Sequence, residues 1–440
     1  MNIYALATPP GKSGLAVIRL SGKDAYKIAL QIAKKRLFKP RFATYTNLYD
    51  KRKNLIDQGL VIFFKSPKSY TGEDIVEFHI HGSYAVINHL YDTLASYSEC
   101  RLAKPGEFTK NAIINGKMNL MQAEALIDLI NSETNLQKKY SQKILKDDAK
   151  KIFLNLKKEL HTILANYEAL IDFSDEEIPI NIFLRNQNKL LIINKKIEKL
   201  IEQGKNNEKI HSGYEVTVIG PVNSGKSSLV NTILKRQASI VSNIPGTTRD
   251  IIRSNFFLDG MLLNISDTAG LRKPKNKIEK AGVSLSLKIL KEADLKILVL
   301  DNSKKEHEAY LKYFDQNTIL VVNKIDLKQK LFLNSKNLDL VKISVKKNSD
   351  LKELFHVISK KLSKLYPSSI ETIISRKRHL KSLKEASFYI SSCIKKEDIK
   401  QLDLIAEDLR LAIKSINSLV GEVNVEKLLD IIFKEYCIGK

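Results

Sequence analysis

Cysteine is scarce in this 440-residue chain: Cys100, Cys393 and Cys437 lie far apart and are odd in number. Neither a disulfide framework nor a CxxC metal site is expected from them, and a reducing, cytoplasmic compartment is. No apolar run approaches the roughly 18 to 20 residues needed to cross a bilayer, so no membrane partner is expected. The start, Met1-Asn2-Ile3-Tyr4-Ala5, lacks a basic region followed by an apolar stretch, so no secretory signal is expected either. Glycine (18) and proline (10) are few, which excludes a collagen-like fibre. An apolar content of 43% is enough for real cores and excludes wholesale disorder. Acidic residues are short relative to basic ones, 49 against 73, a net charge of +24. The excess favours a polyanionic partner such as nucleic acid, because each neutralised phosphate releases counterions. Lysines strewn along the whole chain also fit a general lysine bias, so charge alone does not choose.

At this length two to four domains are expected, and three textures are visible. Residues 1–118 mix short strand-like runs, such as Leu15–Arg19 and Leu60–Phe64, with turn clusters at Pro9-Pro10-Gly11, Ser21-Gly22 and Pro105-Gly106. They predict a compact α+β domain. Residues 119–211 change period: Leu120, Ala123, Ile127 and Ile130 recur at spacings of three and four, and no Gly or Pro interrupts the tract to Ile171. Long helices are the simplest account, with a second helical stretch after Pro179. The same texture returns over 367–440, where Leu402, Ile405, Leu409, Ile413, Ile416 and Leu419 repeat until Gly421. Between them, over 212–366, apolar runs alternate with helical ones: Glu215–Ile219, Leu262–Ile265, Leu295–Leu300, Ile319–Val322 and Val341–Ile343. Such runs predict a parallel sheet covered on both faces. The expected fold is thus a multidomain α+β chain in which one α/β domain interrupts one helical domain.

The motif Gly220-Pro221-Val222-Asn223-Ser224-Gly225-Lys226-Ser227 follows an apolar strand and precedes the helical pattern that starts at Ser228. Glycine there lets main-chain N–H groups close around a triphosphate at a helix N-terminus. Lys226 is expected to reach the β- and γ-phosphates, and the Ser227 hydroxyl to bind Mg²⁺. Asp267-Thr268-Ala269-Gly270 ends a second strand, with Asp267 reaching Mg²⁺ through water and the Gly270 amide near the γ-phosphate. Asn323-Lys324-Ile325-Asp326 ends a third, where the Asp326 carboxylate can accept two hydrogen bonds from the N–H groups of guanine. Adenine offers no such pair, and a buried acceptor left without donors is costly. At Ser344-Val345-Lys346 a main-chain N–H can meet the guanine carbonyl. Together the four elements predict a guanine-nucleotide site.

Two further features bear on hydrolysis. Ser242-Asn243-Ile244-Pro245-Gly246-Thr247-Thr248-Arg249-Asp250 lies between the phosphate loop and Asp267 and reads either as a switch that closes the Mg²⁺ shell or as a plain surface loop. After Gly270 comes Leu271, where small switch GTPases place a glutamine that orients the attacking water. An apolar side chain cannot do that, so another group must.

The flanks carry a resemblance. Ala7-Thr8-Pro9-Pro10-Gly11 leads to Ile18-Arg19-Leu20-Ser21-Gly22, followed by Ser69-Tyr70-Thr71-Gly72-Glu73-Asp74, His81-Gly82 and Lys104-Pro105-Gly106-Glu107-Phe108. Then come Asn115-Gly116-Lys117-Met118-Asn119-Leu120-Met121-Gln122-Ala123-Glu124-Ala125 and the terminal Cys437-Ile438-Gly439-Lys440. Together these make the whole chain similar to the MnmE (TrmE) family of tRNA-modification GTPases.

That resemblance implies a folate-binding, dimerising N-terminal domain, a helical domain and an inserted Ras-like P-loop G domain. It implies GTP hydrolysis by a homodimer. It also implies a heterotetramer with a FAD-dependent partner that adds a carboxymethylaminomethyl or aminomethyl group to carbon 5 of the wobble uridine of certain tRNAs. The one-carbon unit would come from a tetrahydrofolate derivative, 5-formyl- or methylene-tetrahydrofolate, held by Arg19, Glu77, Lys117 and Lys440. Mg²⁺ would be held by Ser227 and Thr248, and K⁺, in place of an arginine finger, by Asn223, Ser242, Ile244 and Thr247. Glu279 would orient the catalytic water, beyond an unusually basic segment Lys273-Pro274-Lys275-Asn276-Lys277. Lys226, Thr248 and Glu279 are thus the expected catalytic residues.

Some residues keep two readings. Cys437 is either a nucleophile toward the uracil ring or a small apolar residue seating the tail. His79 and His81 alternate on one face of a strand, but two ligands without a third do not make a metal site. The competing class is an RNA-binding regulatory GTPase of ribosome assembly, which gives no reason for the Arg19, Glu77, Lys117 and Lys440 set.

Overall fold

The computed structural model describes residues 1–146, 148–172, 180–236, 253–267, 289–305, 310, 312–331, 339–347, 351–365, 374, 376–396, 398 and 401–421. The chain divides into two compact units, Met1–Ile127 with Ile144–Ala165 and Leu409–Lys440, and Asp128–Lys143 with Asn166–Asp408.

The first unit opens with β1 (Asn2–Leu6), β2 (Ser13–Ser21), α1 (Ala25–Ala33), β3 (Thr44–Tyr49), β4 (Leu55–Phe64), β5 (Ile75–Gly82), α2 (Tyr84–Ala95), β6 (Cys100–Leu102) and α3 (Glu107–Ile114). The strands form one sheet in the order β3-β4-β5-β2-β1-β6, antiparallel except for the parallel β1/β6 pair. Side chains alternate across a strand, so Ile18, Leu20, Val76, Phe78 and Ile80 point to the face packed by Ile28 and Ile32 of α1 and Leu90 and Leu94 of α2. Their neighbours Arg19, Glu77 and His79 consequently share the opposite face. Register sets Arg19 directly across from Glu77.

The helical tract is more broken than periodicity predicts: α4 (Leu120–Ile130), α5 (Asn135–Leu145) and α6 (Asp148–Asp172) replace one long run. Reciprocal caps explain two of the starts. Asn119 Oδ1 accepts from Gln122 N while Gln122 Oε1 accepts from Asn119 N, both at 2.9 Å. Thr134 and Gln137 repeat the exchange at 3.1 Å each way. Each pair satisfies main-chain donors that a continuing helix would have bonded.

In the second unit α7 (Ile180–Ser212) leads through Gly213 (φ +81°) into β7 (Tyr214–Ile219), α8 (Lys226–Arg236), β8 (Arg253–Leu258) and β9 (Met261–Asp267). Then follow β10 (Leu295–Asp301), β11 (Thr318–Asn323), β12 (Leu340–Lys342), α9 (Leu351–Leu365), α10 (Lys377–Lys395) and α11 (Leu402–Val420), whose residues from Leu409 onward belong to the first unit. The sheet order is β12-β11-β10-β7-β9-β8. All neighbours are parallel except β8, which pairs antiparallel with β9 at the edge. That edge strand departs from the expected all-parallel sheet. Its cause is the Asp259-Gly260 turn, with φ of +48° and +79°, a two-residue hairpin link that returns the chain directly. One face buries Val216, Val218, Ile297 and Val299 against Leu229 and Ile233 of α8 and Leu354 and Ile358 of α9. The other buries Ile219, Leu298, Leu300 and Leu320 with Leu290 and Leu331. α10 packs back on α7, where Asn194 donates to Ser391 Oγ at 3.2 Å and accepts from Ser387 Oγ at 2.9 Å.

Among the described residues no helix is long and apolar enough to cross a membrane, and no group of three metal-ligating side chains occurs. Cys100 and Cys393 are free and buried. His79 Nε2 lies 3.4 Å from Glu77 Oε2, and His81 Nδ1 lies 2.9 Å from Asp57 Oδ1.

Candidate functional site

Open parallel sheets bind ligands at the carboxyl ends of their strands, beside the point where strand order reverses. Here that point lies between β7 and β10, and β7 runs straight into the glycine-bounded loop 220–225 before α8. Both glycines are structurally required. Gly220 has φ +147°, and a Cβ there would lie 2.1 Å from Val299 O of β10. Gly225 has φ +97°, and its Cβ would lie 2.2 Å from Asn323 Nδ2. Neither position tolerates an L side chain. Within the loop Ser224 is fully buried with a hydroxyl that has no hydrogen-bond partner among the described residues, and Lys226 donates to Pro221 O at 2.7 Å. Ser227 and Ser228 occupy the first turn of α8, the end of a helix whose main-chain N–H groups and dipole favour an anion.

The base side of the site is tied to this loop by Asn323, which is 2% exposed at the end of β11. Its Nδ2 donates to Ser224 O at 2.9 Å, and its Oδ1 accepts from Lys324 N at 2.8 Å and Val345 N at 3.1 Å. One amide therefore fixes three loops. Val345 N is committed to this bond. Asp326 is exposed and accepts from Ser344 Oγ at 2.6 Å, a bond that holds its carboxyl below the usual range. It is ionised at neutral pH, as an acceptor for two N–H groups must be.

Lys324 adopts a left-handed φ of +63° and Asn223 one of +60°. The Lys324 amine donates to Asn223 O at 2.6 Å and to Asp301 Oδ2 at 2.7 Å. Asp301 and its neighbour Ser303 escaped the sequence reading; the available signal was a carboxylate closing an apolar strand beside the phosphate loop. Asp267 closes β9 next to Val218 of β7, at the same end of the sheet. Ser242, Asn243, Ile244, Pro245, Gly246, Thr247, Thr248, Thr268, Ala269, Gly270, Leu271, Glu279, Cys437 and Lys440 lie outside the described residues.

A second cluster occupies the face of the N-terminal sheet opposite α1 and α2, beside Phe108 of α3. Arg19 Nε and Nη2 both donate to Glu77 Oε1, at 3.0 and 2.9 Å. The guanidinium lies over the rings of Tyr70 and Phe108, 5.4 and 5.7 Å from their centroids. The hydrogen bond from His79, and the charge of Arg19, hold the Glu77 carboxyl below its ordinary range against the opposing effect of burial. Lys117 belongs to the same neighbourhood through the 66–74 loop: its amine donates to Pro67 O at 2.6 Å and its stem lies against Gly72.

Residues 2–117 match the family described as "GTP-binding protein TrmE N-terminus", and residues 120–437 match "MnmE helical domain". A protein of Pelagibacter ubique (strain HTCC1062), named tRNA modification GTPase MnmE, is 43% identical over 100% of both chains. The protein of that name from Rickettsia akari (strain Hartford) is 35% identical, again over 100% of both. Among solved structures, the G domain of the T. maritima FeoB iron transporter is 25% identical over 34% of this chain and 98% of that one, with a TM-score of 0.28. With full-length relatives of one name and a family match over most of its length, the chain belongs to the MnmE (TrmE) family of tRNA modification GTPases.

Proposed function

We propose that this protein binds and hydrolyses GTP and, with a flavin-dependent partner, modifies carbon 5 of the wobble uridine of certain tRNAs. Asn323 is the observation that carries the nucleotide half. Its side chain joins the phosphate loop to the base loop, a linkage that suits one ligand spanning both. Asp326 then selects guanine by offering two acceptor oxygens to its adjacent N–H groups, and the first turn of α8 offers main-chain donors to phosphate.

The residues fit hard cations. Ser227 with Thr248 for Mg²⁺, and Asn223, Ser242, Ile244 and Thr247 for K⁺, are all oxygen donors, and the unpartnered Ser224 hydroxyl sits within the same loop. When bound, such ions neutralise charge that develops between the β- and γ-phosphates. Glu279 would orient the attacking water, the task that Leu271 cannot perform. Turnover should rise in KCl relative to NaCl at equal ionic strength, and equal rates would remove K⁺ from the mechanism.

Arg19, Glu77 and Lys117 would hold a tetrahydrofolate derivative, with Lys440 supplying a further cation. A carboxylate backed by a guanidinium suits the paired N–H donors of a pteridine, and Tyr70 and Phe108 give the guanidinium a flat apolar bed. The folate would supply the one-carbon unit. Calorimetry with 5-formyl-tetrahydrofolate should show binding that Arg19→Met abolishes. Absence of binding by the intact protein would favour an RNA-binding regulatory GTPase instead.

A further inference from the structure

We infer that Asp301 is a positioning residue that couples the base loop to the phosphate loop by holding the Lys324 amine against the Asn223 carbonyl. The inference deepens the GTP reading and rests on it.

Asp301 ends β10 and is 2% exposed. Three donors converge on its two oxygens. Ser303 N and Ser303 Oγ reach Oδ1 at 2.9 and 2.7 Å, and Lys324 Nζ reaches Oδ2 at 2.7 Å. A carboxylate is the one side chain of this size that accepts on both ends, since an amide must turn its NH₂ toward a donor. Burial works to raise the Asp301 carboxyl, and the bonds from Lys324 and Ser303 outweigh it, leaving it ionised. With Oδ1 fixed by its own turn, Oδ2 has a fixed direction, and the flexible lysine head takes its place from the carboxylate.

The other contact of that head is Asn223 O at 2.6 Å. Both Asn223 and Lys324 have left-handed backbones without being glycine; asparagine adopts that region readily, whereas for lysine it is a strained conformation kept by an external hold. Asn323 supplies one hold by bonding Ser224 O, and Lys324 supplies the other from the next residue. Releasing Lys324 frees the backbone of Asn223, the residue proposed to ligand K⁺. The effect of Asp301 should therefore reach the cation as well as the base, although it touches neither.

A double-mutant cycle on the full-length protein tests this, with Asp301→Asn, Lys324→Met and the pair. The readouts are GDP affinity, the K⁺ concentration for half-maximal GTPase activity, turnover at saturating GTP and K⁺, and the unfolding midpoint without nucleotide. Asp301→Asn should weaken GDP binding about 10-fold, the scale of one charge-assisted hydrogen bond, and raise the half-activating K⁺ concentration. Saturated turnover should change much less. The double variant should be no worse than Lys324→Met alone. Additive losses, or an Asp301→Asn protein within twofold of wild type, would overturn the inference. Should Asp301→Asn fail to accumulate folded, Ser303→Ala loosens the same carboxylate and should shift GDP affinity about threefold in the same direction. No shift there would equally overturn it. If the wild type itself ignores K⁺, the cation mechanism falls while the GDP arm of the cycle still decides the role of Asp301.

Discussion

Replacing Asn323 by alanine removes three hydrogen bonds with one substitution, all of them to main chain and in three different loops. A hydrogen bond contributes about 0.5–1.5 kcal/mol net, and a buried carbonyl left without a donor costs about 1–3 kcal/mol. Ser224 is fully buried, so its carbonyl falls in the second class, whereas the amides of Lys324 and Val345 lie at half-buried positions that water can reach. The sum is about 3 kcal/mol, roughly a 100-fold change in an equilibrium constant. Where it appears depends on what holds the loops. If the empty protein already keeps them fixed, the unfolding midpoint drops; if nucleotide completes the order, GDP affinity drops instead. Both should be measured, by thermal unfolding and by fluorescent GDP titration. Asn323→Asp is the informative companion, because it keeps the acceptor toward Lys324 and Val345 but turns an oxygen toward Ser224 O. It should be at least as damaging as alanine. An Asn323→Ala protein with GDP affinity within threefold of wild type and an unmoved midpoint would refute the cross-linking role.

The Glu77 carboxyl titrates below its unfolded value of about 4.3. Its contribution is therefore full above that pH and lost as pH falls through the lower folded value. Glu77→Gln should flatten the acid arm of the stability profile of the N-terminal unit below about pH 4.5, and an unchanged acid slope would count against the pairing. Gln137 is buried, accepts from Glu133 N and Thr134 N and donates to Ile210 O. Gln137→Ala should destabilise the helical part of the second unit by about 2 kcal/mol, seen as a lowered unfolding midpoint.

The α/β module was largely legible because its signals are local. Buried parallel strands are short apolar runs, and β7, β9, β10 and β11 each contain the run expected of them. The phosphate loop could be read because Gly220 and Gly225 are forced by backbone geometry that leaves a trace in composition. The start of α4 and the break between α4 and α5 were written in the Asn119/Gln122 and Thr134/Gln137 pairs, which hydrophobic periodicity does not register. β8 was announced by Asp259-Gly260 and missed for the same reason. What no local pattern conveys is pairing across distance. Arg19 and Glu77 are 58 residues apart, and only strand register makes them neighbours. Asp301 and Lys324 meet because β10 and β11 are adjacent and end level.

The antiparallel packing of α7 on α10 has a consequence for how the chain assembles. On the order of 160 residues separate these helices, and closing so long a loop in an unfolded chain costs about 4 to 5 kcal/mol of entropy. Once the intervening sheet has formed, its two ends are already held by one rigid body, and most of that entropy has been lost beforehand. The sheet is thus the natural first folder, a template on which the split helical pair closes late. Damage to the Asn323 or Gly225 region should accordingly appear as slow or failed docking of helices that those residues never touch.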